Sequence, residues 1–163
     1  MPDALLPIAQ VLIQMAEHPP RIAALTEGLT PAQLRTRSGP DEWSANDVLA
    51  HLRSCADVWG NYIRKILAED RPKIRAVSPR TWIKRTDYPE LEFGPSFQAF
   101  ASQRADLLAM LKPLPPETWS RAASVTMVGK VMDRTVLDYA IRLTDHEREH
   151  VRQIEQIVNT IRT

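Results

Sequence analysis

Glycine is scarce in this chain, with 5 among 163 residues, less than half the usual share of about 7%. Glycine supplies positive-φ backbone at the least steric cost, so few hairpin turns and no phosphate-cradling loop are expected. Neither a P-loop nor a dinucleotide-binding fingerprint occurs. The single cysteine excludes an internal disulfide. Asp3 stands where a secretory leader carries basic residues, so a reducing cytoplasm is the expected compartment. Long hydrophobic runs are missing too. The most apolar stretch, Ala4 to Ala16, is interrupted by Pro7, Gln10 and Gln14, and falls far short of the roughly 20 residues a membrane span needs. Charge of one sign is also lacking: 21 Lys and Arg face 20 Asp and Glu, a net charge of +1. That balance gives no basic footprint for nucleic acid and no acidic solvating tail. A soluble protein without membrane or nucleic-acid partners is expected.

What is present is proline and helical rhythm. The 13 prolines group at Pro19-Pro20, Pro31, Pro40, Pro72 to Pro95 and Pro113 to Pro116, reading as punctuation between helices. A chain of this length is expected to form one domain over residues 1–163, able to fold without a metal or disulfide. From Asp3 to Gly28, the residues Leu6, Val11, Ile13, Met15, Ile22 and Leu25 follow a helical rhythm, and Pro19-Pro20 predicts a kink or restart. Thr30-Pro31-Ala32-Gln33 reads as an N-cap with proline at the first helical position. Ser44 caps a second long helix, with Asp47 in capping-box position. Its apolar stripe is Val48, Leu52, Cys55, Trp59, Tyr62 and Ile66, and it should end near Asp70.

A crossover from Arg71 to Pro95 has no sustained period. Loops of that length are usually functional or packed. A third helix is predicted from Pro95 to about Lys112, carrying Phe97, Phe100, Leu107, Leu108 and Leu111. Residues 117–134 are mixed, with a short extended stretch around Val125 to Val131 and a turn at Gly129. A fourth helix from Thr135 to about Ile161 carries Leu137, Ala140, Ile141, Thr144, Val151, Ile154, Val158 and Ile161. The expected fold class is all-α, a four-helix bundle.

Of the 4 histidines, His146 and His150 lie four apart on the fourth helix, so their side chains project from one face on successive turns. Such a pair is often only a solvated surface feature. Here Leu143, His146, His150, Ile154 and Ile157 form a run of three- and four-residue steps bordering the apolar stripe, which turns the pair at least obliquely toward the bundle. His51 lies beside Val48, Leu52 and Cys55 on the second helix. Taken alone it reads as a core histidine, but facing helices are where bundle metal sites are built.

The segments DEWSANDVLAHL (Asp41 to Leu52) and HEREHVRQIEQI (His146 to Ile157) resemble the DinB-like family of small four-helix metalloproteins. The matching residues are Trp43, Ser44, His51, His146, His150, Gln153 and Ile154, and the likeness extends over nearly the whole chain. It implies a bundle with a long crossover between the second and third helices, and one divalent ion held by His51, His146 and His150. Three imidazoles leave a coordination position open, as in catalytic sites, and nitrogen ligands suit Zn, Ni, Fe or Mn. Relatives include S-transferases using low-molecular-weight thiols, a thiol-dependent maleylpyruvate isomerase, and proteins described as metal-dependent hydrolases; many are dimeric. The resemblance therefore implies a metal-dependent enzyme of thiol S-transferase or hydrolase type, acting on a small-molecule substrate, with a low-molecular-weight thiol as a candidate co-substrate and a homodimer as a candidate assembly. The alternative is a metal-binding stress or interaction protein without turnover. The two differ in whether the ion's open face meets a pocket lined by Arg104 and crossover residues.

Arg104 interrupts the apolar stripe of the third helix. It would bind a substrate carboxylate or phosphate, or else form an internal salt bridge. Cys55, one turn beyond His51, reads first as a small core residue and second as a fourth ligand or redox nucleophile. Asp47, Asp145 and Glu147 are candidate carboxylates for orienting imidazoles, against the plainer roles of caps and solvated acids. His18, beside the two prolines, has no partner spacing. Trp82 and Tyr88, with Arg80, Lys84 and Arg85, would either lid the site or pack the crossover onto the bundle; the latter is the expectation.

Overall fold

The computed structural model describes residues 2–163, with side chains from residue 7 onward. In chain order it contains α1 (Pro2–Thr26), the single turn α2 (Pro31–Leu34), α3 (Ala45–Ala68), β1 (Lys73–Arg75), the single turn α4 (Pro79–Trp82), α5 (Phe93–Leu111), β2 (Ala122–Met127), β3 (Lys130–Thr135) and α6 (Val136–Arg162). Short 3-10 turns fill Ile83–Arg85, Tyr88–Glu90 and Pro116–Ser120. The helix starts follow from their caps. Thr30 with Gln33, Ser44 with Asp47 and Thr135 with Asp138 each form a reciprocal capping box, satisfying two orphan N–H groups apiece.

The long helices α1, α3, α5 and α6 make the bundle, with α3 and α1 each packed against both α5 and α6. Met15, Ile22, Leu52, Ile63, Phe100, Leu111, Leu143 and Ile154 are buried in its core, each contributing roughly 1.5–3 kcal/mol by leaving water. Ile13, counted in the apolar rhythm of the first helix, is 57% exposed and faces solvent. The side chain of Leu6 lies outside the described residues. No helix among the described residues is long and apolar enough to cross a membrane.

The fold is mostly helical but not all-α. β1 pairs parallel with β2, and β2 pairs antiparallel with β3 in register Val125↔Met132. The extended stretch expected around Val125 is therefore two strands. They meet at Val128-Gly129, both at positive φ, +47° and +77°, which is the backbone of a tight two-residue hairpin turn. Ile74 and Val125 bury one face of the sheet against the bundle.

Of the kink or restart expected in the first helix, the restart does not occur: α1 runs through Pro19 and Pro20 as one helix. Pro19 has no N–H for the carbonyl four residues back, that of Met15. That carbonyl is served instead by Arg104 Nη1 of α5 at 3.2 Å. Packing supplies the missing donor, so the helix has no need to break there.

The crossover is packed, as expected. Asp57 of α3 accepts hydrogen bonds from Trp82 Nε1 at 3.0 Å, Tyr88 OH at 2.6 Å and Gln103 Nε2 at 2.7 Å. The guanidinium of Arg53 lies 3.7 Å from the Tyr88 ring centroid, and the Val77 N–H donates to Tyr62 OH at 2.7 Å. The third long helix begins two residues earlier than expected, and Pro95 sits within its first turn, where no intrahelical N–H is needed.

Candidate metal centre

The Ser44 cap starts α3 so that His51 falls two turns in, on the same side as Val48, Leu52 and Cys55. His146 and His150 lie near the middle of α6, which packs against α3. The three imidazoles meet. Nε2 of His146 is 2.9 Å from Nε2 of His51 and 3.1 Å from Nε2 of His150, and the ring centroids lie 4.6–5.1 Å apart.

Hydrogen bonding alone satisfies this cluster poorly. A neutral imidazole nitrogen is a donor or an acceptor, never both at once, so His146 Nε2 cannot pair with one neighbour as donor and with the other as acceptor. The tautomer of His150 sharpens the point. Its Nδ1 lies 2.7 Å from Gln153 Oε1, so Nδ1–H donates to that amide and leaves the Nε2 lone pair directed at His146. Nitrogens bound to one ion at about 2.0–2.1 Å stand about 2.9–3.4 Å from one another, depending on coordination angle. The two spacings at His146 Nε2 fall within that range.

Burial readies the rings. His51 is pushed down to about 4 by desolvation first, then by His150, His146 and the nearby Arg80 cation. His146 is lowered by desolvation, then by His150 and Arg142. Both therefore remain neutral near pH 7, the form a metal requires. A sulfur joins the group: Cys55 Sγ is 3.5 Å from His51 Nε2, and the ligand atoms of His51, Cys55 and His146 all lie within 4.8 Å of one another. These three residues could hold a metal ion. Desolvation, then Glu147, pushes the Cys55 thiol well up.

Tryptophans wall the cluster. Trp43 stacks on His150 with ring centroids 6.0 Å apart at 14°, and lies 5.2 Å from His51. Trp59 meets His146 edge-on at 5.2 Å. Beyond them opens a cavity of about 970 Å³ reaching His51 and His146, lined by the crossover, the β2–β3 hairpin and the first turns of α6. A smaller hollow of about 260 Å³ adjoins His51 beside Trp43 and Arg80.

Other expected participants lie elsewhere. Arg104 is 2% exposed, forks onto both carboxylate oxygens of Glu147 and does not line the cavity. Glu147, adjacent to His146 in sequence, is turned toward α5 and α1, where besides Arg104 it pairs with His18 Nδ1 at 2.8 Å. The internal salt bridge is what Arg104 forms, and the carboxylate read as a candidate imidazole partner belongs to it. Desolvation alone would raise Glu147, but Arg104 and His18 outweigh it and hold the carboxyl below its usual range. Asp47 serves the α3 cap and Arg37, and Asp145 pairs with Arg148 at 3.0 Å.

Several residues at the site carried no role in the sequence. Gln153, three residues after His150, had a signal in its helical spacing. Arg142, one turn before His146, had the same. Arg80 was read only as part of a lid or packed crossover, and the crossover's path brings it beside Trp43 and His51.

A family model described as the DinB superfamily matches residues 14–154. YfiT from Bacillus subtilis, described as a probable metal-dependent hydrolase with an unusual four-helix bundle topology, is similar in structure. The match has a TM-score of 0.74 at 17% sequence identity, covering 94% of this chain and 87% of that chain. At that identity the likeness is one of fold. No curated protein matches the chain in sequence.

Proposed function

This chain belongs to the DinB superfamily, and from that premise we propose that it is a metal-dependent enzyme acting on a small molecule, with one divalent transition metal, Zn, Ni, Fe or Mn, held by His51, His146 and His150. The observation that carries this reading is the approach of His146 Nε2 to Nε2 of His51 at 2.9 Å and of His150 at 3.1 Å, with His51 and His146 lining an open cavity. A protein that only stores or senses the ion has no use for a substrate-sized recess over it. When bound, the ion supplies Lewis-acid chemistry that activates water or a thiol at neutral pH.

The chain's own residues set the rest. Burial keeps His51 and His146 neutral, and Gln153 holds His150 in the tautomer whose Nε2 faces inward. Trp43 and Trp59 pack against the imidazoles, and both the cavity and the smaller hollow reach His51. Hydrolysis is the reaction proposed first, because water needs no further recognition. Thiol S-transfer is the second reading. It is favoured by the cavity's volume of about 970 Å³, at the upper end for small-molecule sites and roomy enough for a low-molecular-weight thiol beside a substrate.

The test is a turnover assay on ester substrates, and on electrophiles with bacillithiol, mycothiol or glutathione, before chelation, after it, and after metal is restored. Activity that vanishes with chelation and returns with the metal supports the reading. Turnover indifferent to chelation, or no turnover by the metal-loaded protein on either panel, contradicts it.

A further inference from the structure

Arginines crowd the cavity beside the histidines, and their charge is not spent inside the protein. Arg80 comes from α4, Arg134 from β3 and Arg142 from α6, and all three line the cavity. Among the described residues none of them forms an ion pair, whereas Arg37, Arg104, Arg148 and others do. The two acids at the rim are engaged elsewhere: Asp138 accepts from the Thr135 N–H at 2.9 Å in the α6 cap, and Asp145 pairs with Arg148.

Two of these guanidinium groups are held in place. Arg80 lies over the Trp43 ring with its carbon 5.5 Å from the centroid, and Arg142 lies over Trp59 at 5.2 Å. Each tryptophan in turn faces a histidine, Trp43 against His150 and Trp59 against His146. Two layers of arginine, indole and imidazole therefore flank the cluster. Stacking against an aromatic ring fixes a guanidinium while leaving its N–H fork free for a planar or tetrahedral oxyanion. The lining also has apolar residues: the β2–β3 hairpin brings Val125, Met127 and Val128 to it, the last two 40% and 97% exposed.

We infer that this cavity takes an organic anion, its carboxylate or phosphate head held by Arg80 and Arg142 and its apolar body lying against the β2–β3 hairpin. The inference rests on the reading of the cavity as a substrate site. It adds a substrate class and assigns specificity to two arginines. Arg134 contributes to the attractive field and is not required to touch the ligand.

The experiment is isothermal titration calorimetry with benzoate and its neutral isostere benzamide on the metal-loaded protein. The variants are Arg80→Gln, Arg142→Gln, Arg142→Lys and, outside the cavity, Arg152→Gln, each checked for folding and metal content. Benzoate should bind about tenfold or more tighter than benzamide, the size of a lost charge-assisted hydrogen bond. That preference should fall in both Gln variants, recover in part with Arg142→Lys, and stay unchanged in Arg152→Gln. Equal binding of the two probes overturns the inference. So does a benzoate preference that survives both Gln variants and disappears on chelation, which puts the anion on the metal alone. An arginine-dependent preference in protein that takes up no metal would refute the metal reading while leaving the anion site standing.

Discussion

The side-chain oxygen of Gln153 accepts a hydrogen bond from Nδ1–H of His150 at 2.7 Å, and this one contact decides which nitrogen of that ring is free to bind. Gln153→Leu should keep the fold, because the residue is half-buried and leucine is a good helix former. It should weaken metal binding by about 10–100-fold, the usual effect of losing such an orienting partner. Competition with a chromogenic chelator measures this. Unchanged affinity would show that the ring needs no orienting.

Arg104, Glu147 and the Met15 carbonyl form a buried unit bound up with Pro19. Replacing Arg104 by Met leaves Glu147 without its cation and should cost about 3–5 kcal/mol in urea denaturation. Adding Pro19→Ala returns an N–H to the Met15 carbonyl, so the double variant should be less destabilised than the sum of the two singles by about 0.5–1.5 kcal/mol. Additive losses would contradict that role for Arg104.

Asp47 makes the start of α3 sensitive to acid. Burial alone would raise its carboxyl, but hydrogen bonds from Arg37 and Ser44 outweigh it and hold the group below the ordinary carboxylate range. A group depressed in the folded state stabilises above its unfolded pKa, about 3.9 for Asp, and loses that contribution as pH falls through the folded value. The stability difference between wild type and Asp47→Asn should thus be constant from about pH 7 to pH 5 and shrink below about pH 4. A difference that persists undiminished at pH 2 would exclude the ionised carboxylate as its source.

Val128 is a β-branched residue held at φ +47° on the exposed hairpin tip. Such residues disfavour the left-handed region, and Asn tolerates it. Val128→Asn should raise the thermal midpoint, with a gain of up to about 1 kcal/mol. No gain would show that the turn relaxes without help.

The long helices could be read from the sequence because their caps and apolar stripes are local: Ser44 with Asp47, and the run from Val48 to Ile66, need no distant partner. The approach of His51 to His146 and His150 was legible for a related reason, since helical phase put all three beside the apolar stripes. The unbroken first helix was not. The donor that replaces the Pro19 N–H at the Met15 carbonyl is Arg104, 89 residues beyond Met15. The sheet was half visible, since alternation and Gly129 mark the hairpin. β1 has only three residues and borrows its partner from far along the chain. Arg80 was named with the candidate lid, but its position beside Trp43 and His51 could not be read, because an aperiodic crossover carries no phase from which to aim a side chain.

The most direct test is metal content by elemental analysis of the purified wild type beside His150→Ala and Cys55→Ala, since His51 and His146 serve with either third ligand. The expected result is one transition-metal ion per chain in the wild type and in Cys55→Ala, with most of it lost from a folded His150→Ala. Retention in His150→Ala with loss from Cys55→Ala would place the ion on His51, Cys55 and His146. Absence of metal from all three proteins, after offering Zn, Ni, Fe and Mn, would contradict a metal centre altogether.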